Sequence, residues 1–259
     1  MIKIKKKFGQ HFLRDKNIVH AAITKVEIDE TTSVFEIGCG DGFLTREILE
    51  TNIARLWVFE IDPEWADYVR SELGADKRLH VFTENILDVD FSRLKQHAPW
   101  TLLANLPYQV TFPILRLLQK NRHLIKEGVV MVQEEVAQKI VKKSGRGYGF
   151  ISLFFQYYFD WKLLNKVPPE AFYPPPKVFS RLMYFKPKKE MVPIPDETKF
   201  WKFIKCCFRQ PRRTLNNNLK QTHYDISKIP EDILVLRAQQ MSMDDFLQLW
   251  DVLKNEGLN

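Results

Sequence analysis

The sequence predicts an α/β fold: a mostly parallel sheet with an antiparallel edge, followed by a small all-helical C-terminal domain. Three observations predict it. Short apolar runs alternate with helical patterns through the first two thirds of the 259 residues, the rhythm of βαβ units covered on both faces. Near 159–167 and 178–185 two strands follow each other with no long helix between them, which suits an antiparallel pair at a sheet edge. After residue 197 the pattern is helical.

In order, SVFEIG (33–38) reads as a strand and FLTREILE (43–50) as a helix. RLWVFEID (55–62) is the next strand. PEWADYVRSEL (63–73) is the next helix, with Pro63 suited to its first turn. LHVFTEN (79–85) and WTLLAN (100–105) are strands. A helix follows at 111–120, a strand at GVVMVQ (128–133) and a helix at 134–143. The aromatic run FFQYYFDW (154–161) reads as core. KPKKEMVPIPDE (186–197), rich in Pro and Lys, reads as a linker and divides the chain into domains 1–186 and 187–259. Helices are expected at 198–208, 213–220, 231–238 and 243–254.

With 45% hydrophobic and 27% charged residues the composition is that of a soluble globular protein, and no apolar stretch is long enough to span a membrane. The start, MIKIKKKFGQHFL, is basic but has no apolar segment after it, so no secretory signal is expected. Three cysteines, Cys39, Cys206 and Cys207, with no CxxC spacing argue for a reducing, cytoplasmic setting and against a zinc site or disulfide framework. The net charge of +7 is clustered. Lys3, Lys5, Lys6 and Lys7 open the chain; Lys142, Lys143 and Arg146 flank a glycine-rich loop; Lys186, Lys188 and Lys189 lie near the linker; Arg209, Arg212 and Arg213 follow it. Such clusters suit sequence-blind, salt-sensitive phosphate contacts.

Glu36-Ile37-Gly38-Cys39-Gly40-Asp41-Gly42 closes the first strand and precedes a helix. Glycines there permit positive φ and close backbone approach to a ligand. The spacing is GxGxG rather than the dinucleotide GxGxxG. Glu60 ends the second strand, where a carboxylate can accept both hydroxyls of a ribose. GxGxG with the upstream acid Glu36 resembles the S-adenosylmethionine site of Rossmann-like methyltransferases, whose ligand has no pyrophosphate and needs no phosphate-cradling helix N-terminus.

Asn105-Leu106-Pro107-Tyr108 follows WTLLAN and should lie at the carboxyl edge of the sheet, facing the glycine turn. It reads in two ways. As plain structure, Asn caps, Pro bends and Tyr packs. As chemistry, it can activate an exocyclic adenine amine, whose lone pair is delocalised into the ring. The Asn oxygen and the Leu106 carbonyl accept its two N–H bonds and favour a tetrahedral nitrogen aimed at an activated methyl group. Pro107 restrains the Leu106 carbonyl, and Tyr108 offers a face for the base.

With these motifs in order, the chain resembles the ribosomal RNA adenine N6,N6-dimethyltransferase family over nearly its whole length, in particular its small-subunit, kasugamycin-sensitivity type. Gly9-Gln10-His11-Phe12-Leu13 resembles the family's GQxFL motif, and EIGCGDGFLT (36–45) its cofactor loop. Phe172-Tyr173-Pro174-Pro175-Pro176-Lys177-Val178-Phe179-Ser180 resembles FxPxPKVxS, and Phe208–Leu219 resembles RRxTLxNNL. The resemblance implies a Rossmann-like class I methyltransferase that dimethylates N6 of two adjacent adenosines in the 3′-terminal hairpin of small-subunit rRNA. It implies Asn105, Leu106, Pro107, Tyr108 and Phe172 as catalytic, with the Phe172 ring stacked on the base opposite Tyr108. It implies cofactor contacts from Gln10, His11, Leu13, Glu36, Gly38, Gly40, Gly42, Glu60, Ile61, Asn85, Ile86 and Asn105, and no metal. Lys5, Lys6, Lys7, Lys142, Lys143, Arg146, Arg209, Arg212 and Arg213 are expected to meet rRNA within a ribosomal precursor particle, the protein acting as a monomer.

Two positions depart from the family pattern. Asn85 stands where an Asp usually accepts the cofactor's adenine amine; its carbonyl oxygen can still accept, without charge assistance, so weaker cofactor binding is expected. Pro211 stands where a basic or polar residue is usual and is expected to start a helix. Three other readings stay open on sequence: a large-subunit, erythromycin-resistance-type methylase, an NAD-dependent oxidoreductase, and a non-catalytic assembly factor.

Overall fold

The computed structural model describes Ile2, Lys5 and residues 9–254. Its strands are β1 (Phe12–Leu13), β2 (Ser33–Ile37), β3 (Arg55–Glu60), β4 (Leu79–Thr83), β5 (Trp100–Asn105), β6 (Ile125–Gln133), β7 (Phe159–Val167), β8 (Phe172–Tyr173) and β9 (Ser180–Pro187). Its helices are α1 (Lys16–Ile23), α2 (Phe43–Leu49), α3 (Pro63–Leu73), α4 (Thr111–Lys120), α5 (Glu134–Val141), α6 (Phe150–Tyr158), α7 (Glu197–Cys207), α8 (Leu215–Leu219), α9 (Glu231–Leu234) and α10 (Met243–Leu253). No described helix is long and apolar enough to cross a membrane.

Seven strands form one sheet in the order β4-β3-β2-β5-β6-β9-β7. The first five are parallel, and β9 runs antiparallel to both β6 and β7. Every residue of β2 is buried, as a strand covered on both faces requires. The edge strand β7 instead exposes Asp160 and Lys166 along its length, which discourages pairing with another chain. Strand order reverses between β2 and β5, so the carboxyl ends of these two neighbours open a crevice at the switch point. The antiparallel edge pair agrees with the sequence expectation. Helix α1 and the short antiparallel pair of β1 with β8 were not expected from sequence.

The chain forms two compact units, residues 1–137 with 159–187, and residues 138–158 with 188 onward. This differs from a single boundary at 186. The difference lies in α6, whose aromatic residues build the core of the helical unit. The Phe154 ring lies 5.0 Å from Trp201, and Trp201 Nε1–H donates to Tyr158 Oη at 2.7 Å. The Tyr158 hydroxyl in turn donates to Glu197. The expected linker packs on this unit, where Val192 O accepts from the Tyr157 hydroxyl and Pro195 O from Trp250 Nε1.

Pro211 does not start a helix. It is the second residue of a turn closed by Arg213 N–H to Gln210 O at 2.9 Å, a position that favours proline. Helix α8 begins from Thr214, whose hydroxyl caps Asn217 N–H.

Candidate active site

A cavity of about 240 Å³ opens at the switch point of the sheet unit, lined by the loops after β2, β3, β4 and β5 and by residues 9–13. Gly38, Gly40 and Gly42 have φ of +76°, +52° and +78°, so the turn needs glycine. A Cβ on Gly40 would lie 2.6 Å from the Phe12 ring. Gly42 does not line the cavity. It starts α2, and a Cβ there would meet Val69 at 3.2 Å, so its role is to seat α2 against α3 rather than to touch a ligand.

Glu60 is 5% exposed. Its Oε2 accepts from Gly40 N–H at 3.1 Å and its Oε1 from Asp62 N–H at 2.8 Å. Burial raises its pKa against those two bonds. Glu36 is fully buried. Its Oε2 accepts from the Thr45 hydroxyl at 2.7 Å, while Oε1 has no partner. Burial raises its pKa to about 8, opposed by the Thr45 bond and helped by Glu60 and Asp41. Among the described residues the lining holds four carboxylates, Glu36, Asp41, Glu60 and Glu84, and no lysine or arginine. Arg14 pairs with Asp41 and Arg93 with Glu84, each at 2.7 Å, which leaves Glu36 and Glu60 as the acids open to hydroxyl or ammonium groups of a ligand.

Asn105 Nδ2 donates to His11 O at 3.2 Å, which makes Oδ1 the end of the carboxamide available to a ligand. Leu106 N–H donates to Met131 O at 3.1 Å, and Pro107 holds φ at −60°. Tyr108 is braced through its hydroxyl, 2.5 Å from Ser180 Oγ, and burial raises its pKa. Its ring lies nearly parallel to His11, with centroids 5.8 Å apart. The Nδ1 of His11 donates to Pro174 O at 2.8 Å. Gln10, His11, Leu13, Ile61, Asn85 and Ile86 also line the cavity. The Asn85 carboxamide is held locally: Oδ1 accepts from Leu87 N–H at 3.2 Å and Nδ2 donates to Asp88 at 2.8 Å.

Two further expectations need correction. Phe172 does not line the cavity and is 4% exposed. Pairing of β1 with β8 sets it opposite Leu13, and both side chains join the apolar core. Alternation along the strand turns the next residue, Tyr173, outward. Lys5 does not present a free charge, since its Nζ lies 2.7 Å from Asp62 Oδ1 and 2.8 Å from Glu64 Oε1. Lys6 and Lys7 lie outside the described residues. Asp62, which also accepts from Gln10 Nε2 at 3.1 Å, and Ser180 were missed as supports of the site. The Asp-Pro pair at a strand-to-helix junction signalled a cap for Asp62; no sequence signal linked Ser180 to Tyr108.

In the helical unit Lys142, Lys143, Arg146, Arg209, Arg212 and Arg213 are all exposed. The two groups are brought together where Tyr148 packs edge-on against Phe208, with centroids 5.8 Å apart.

A glycine turn and two buried acids at the switch point of this seven-stranded sheet, with β9 reversed against β6 and β7, are the arrangement of the Rossmann-like methyltransferase class. The model of the ribosomal RNA adenine dimethylase family matches residues 1–255, and the chain belongs to that family. A ribosomal RNA small subunit methyltransferase A from Chlorobium phaeobacteroides is 37% identical over 254 residues, 98% of this chain and 92% of the relative. Its namesake from Francisella tularensis subsp. novicida is 35% identical over 258 residues, 97% and 98% of the two chains. Among solved structures, a dimethyladenosine transferase from Plasmodium falciparum superposes with a TM-score of 0.79 at 22% identity, covering 92% of this chain and 96% of its own. The 23S rRNA methyltransferase ErmE superposes at 0.70 with 21% identity, covering 94% and 100%. These two likenesses concern the fold.

Proposed function

We propose that the protein uses S-adenosylmethionine to dimethylate N6 of two adjacent adenosines in the 3′-terminal hairpin of small-subunit rRNA. The observation that carries this reading is that Asn105–Tyr108 and the acid-lined glycine turn border one cavity. The chain's relationship to methyltransferases named for the small subunit, over almost the full length of both partners, supports this reading over a large-subunit target.

The residues fit the cofactor. Glu36 Oε1, buried and unpartnered, suits its ammonium group; Glu60 suits its ribose hydroxyls; Asn85 and Ile86 suit its adenine. When bound, the cofactor supplies an electrophilic methyl group. The protein's own work is positioning. Asn105 Oδ1 and the Leu106 carbonyl accept the two amine hydrogens and draw the nitrogen towards tetrahedral geometry. Tyr108, braced by Ser180, holds the base plane. No strong base is needed, because the amine becomes acidic once methylated. The target base must be unstacked to reach this depth. The exposed basic residues of the helical unit suit docking on rRNA within a precursor particle, with the protein acting as a cytoplasmic monomer.

Mass spectrometry of rRNA nucleosides after incubation with unmethylated small subunits and isotope-labelled cofactor tests the reading. Labelled dimethyladenosine from small-subunit rRNA is expected; its absence would overturn the reading.

A further inference from the structure

The loop from β8 to β9 departs from the rule that large apolar side chains are covered. Tyr173, Val178 and Phe179 are 62%, 44% and 43% exposed, three of the seven large hydrophobic side chains so exposed among the described residues. They fall within seven consecutive positions, from the last residue of β8 through the loop stiffened by Pro174, Pro175 and Pro176. The exposure is held in place from within the sheet unit. Pro174 O accepts from His11 Nδ1 at 2.8 Å, Phe179 O accepts from Glu134 N–H at 2.9 Å, and Ser180 Oγ meets the Tyr108 hydroxyl. His11 and Tyr108 both line the cavity, so the loop is tied at each end to the rim where a base must enter. Positive charge is interleaved with the rings. Lys166 Nζ sits 4.1 Å from the Phe179 ring centroid, and Lys177 is exposed between Tyr173 and Phe179.

We infer that Tyr173 and Phe179 form a stacking surface for the unpaired nucleotides that flank the target adenosine, with Lys166 and Lys177 meeting their phosphates. This rests on the functional reading above and extends it. Exposed aromatic faces interleaved with lysines are the arrangement that holds single-stranded nucleic acid. A base pulled out of its helix leaves its neighbours unstacked, and exposed rings on a loop tied to the cavity-lining His11 and Tyr108 replace the lost stacking. A protein partner is disfavoured by the two lysines standing among the rings, because interface cores are depleted of lysine. The surface explains why the loop keeps its rings in water while Phe172, beside them, is buried.

The test compares wild type with Tyr173→Ala, Phe179→Ala and the ring-keeping variants Tyr173→Phe and Phe179→Tyr. Two readouts are taken: methylation kinetics on unmethylated small subunits, and fluorescence quenching of 2-aminopurine in a short single-stranded RNA. The alanine variants should raise KM for subunits by about tenfold each, within the range that stacking on one base supports, with kcat and cofactor affinity near wild type. They should also lose quenching, and the ring-keeping variants should restore both. The melting temperature of Tyr173→Ala should stay at the wild-type value, and that of Phe179→Ala should fall only by what the loss of its Lys166 contact costs. Alanine variants within twofold of wild type in KM would overturn the inference. If wild type itself methylates no small subunit, the functional reading fails, and quenching alone decides: its loss in the alanine variants supports the stacking surface, and its persistence overturns it.

Discussion

Glu36 is fully buried with one oxygen unpartnered, and its chemistry should be visible in the free protein. Unfolded, it titrates near 4.5; folded, burial carries it to about 8. Between those values the folded state keeps a proton that the unfolded chain has lost. The associated stability is therefore fully present below pH 4.5 and is lost as pH rises towards 8, at no more than about 1.4 kcal/mol per pH unit. Thermal melts from pH 5 to 8 should show wild type losing stability relative to Glu36→Gln, which cannot titrate. Parallel pH profiles would contradict this. Asn85 allows a second prediction. Its Nδ2 donates to Asp88, so an Asp at 85 would set two carboxylates against each other. Asn85→Asp alone should not tighten cofactor binding, whereas Asn85→Asp with Asp88→Asn should tighten it by about threefold or more, through a charge-assisted bond. Calorimetric titration checks this, and an equal or greater gain in the single variant would refute it.

Among the elements, the turn carrying Arg209, Arg212 and Arg213 is held by one buried side chain. Asn218, 4% exposed, accepts from Gln210 N–H and donates to Cys207 O and Gln210 O, at 2.9–3.1 Å. Asn218→Ala would leave Cys207 O and Gln210 N–H short of a partner, while Gln210 O keeps Arg213 N–H, a loss of about 1–3 kcal/mol. Urea unfolding should show it, and a loss below about 0.5 kcal/mol would contradict it. Elements with strong patterns were legible: α3 (63–73), α4 (111–120), β5 (100–105) and β7 (159–167) lie where periodicity and Pro63 put them. Helix α1 was not legible, although Asp15 caps it, because it follows directly on a short strand. The pair β1–β8 is two residues long and is set by distant contacts such as His11 with Pro174, which no local pattern records. Of the run 154–161, Phe154, Phe155, Tyr158 and Phe159 are core and Asp160 is exposed; residues 154–158 join the helical unit through Trp201 and Glu197 far along the chain, while Phe159 opens the edge strand β7.

Over the whole molecule, the charge of +7 concerns long-range attraction, and the structure refines which cations contribute. Lys5 is neutralised by Asp62 and Glu64, while the arginines after α7 stay exposed. Replacing Arg209, Arg212 and Arg213 together by Gln should weaken rRNA binding with little dependence on sequence. It should also flatten the logarithmic salt dependence by roughly 0.7–0.9 per lost phosphate contact. Filter binding across salt concentrations measures this, and an unchanged slope would exclude those arginines from the interface. The cavity was legible because its parts sit at strand ends that the βαβ rhythm fixes in advance: the glycine turn, Glu60 and Asn105–Tyr108. The roles of Phe172, Gly42 and Lys5 were not legible, because they are set by contacts distant in sequence: strand register with Leu13, close packing of α2 on α3 at Val69, and ion pairs with Asp62 and Glu64. The central proposal is that Asn105 above all orients the amine, beside any contact it makes with the cofactor. Single-turnover methylation of unmethylated small subunits by Asn105→Ala, with cofactor affinity measured in parallel, tests it most directly. The account predicts a rate loss on the order of 100-fold or more with cofactor affinity within a few-fold of wild type. A rate within about threefold of wild type, or a loss that follows cofactor affinity alone, would contradict it.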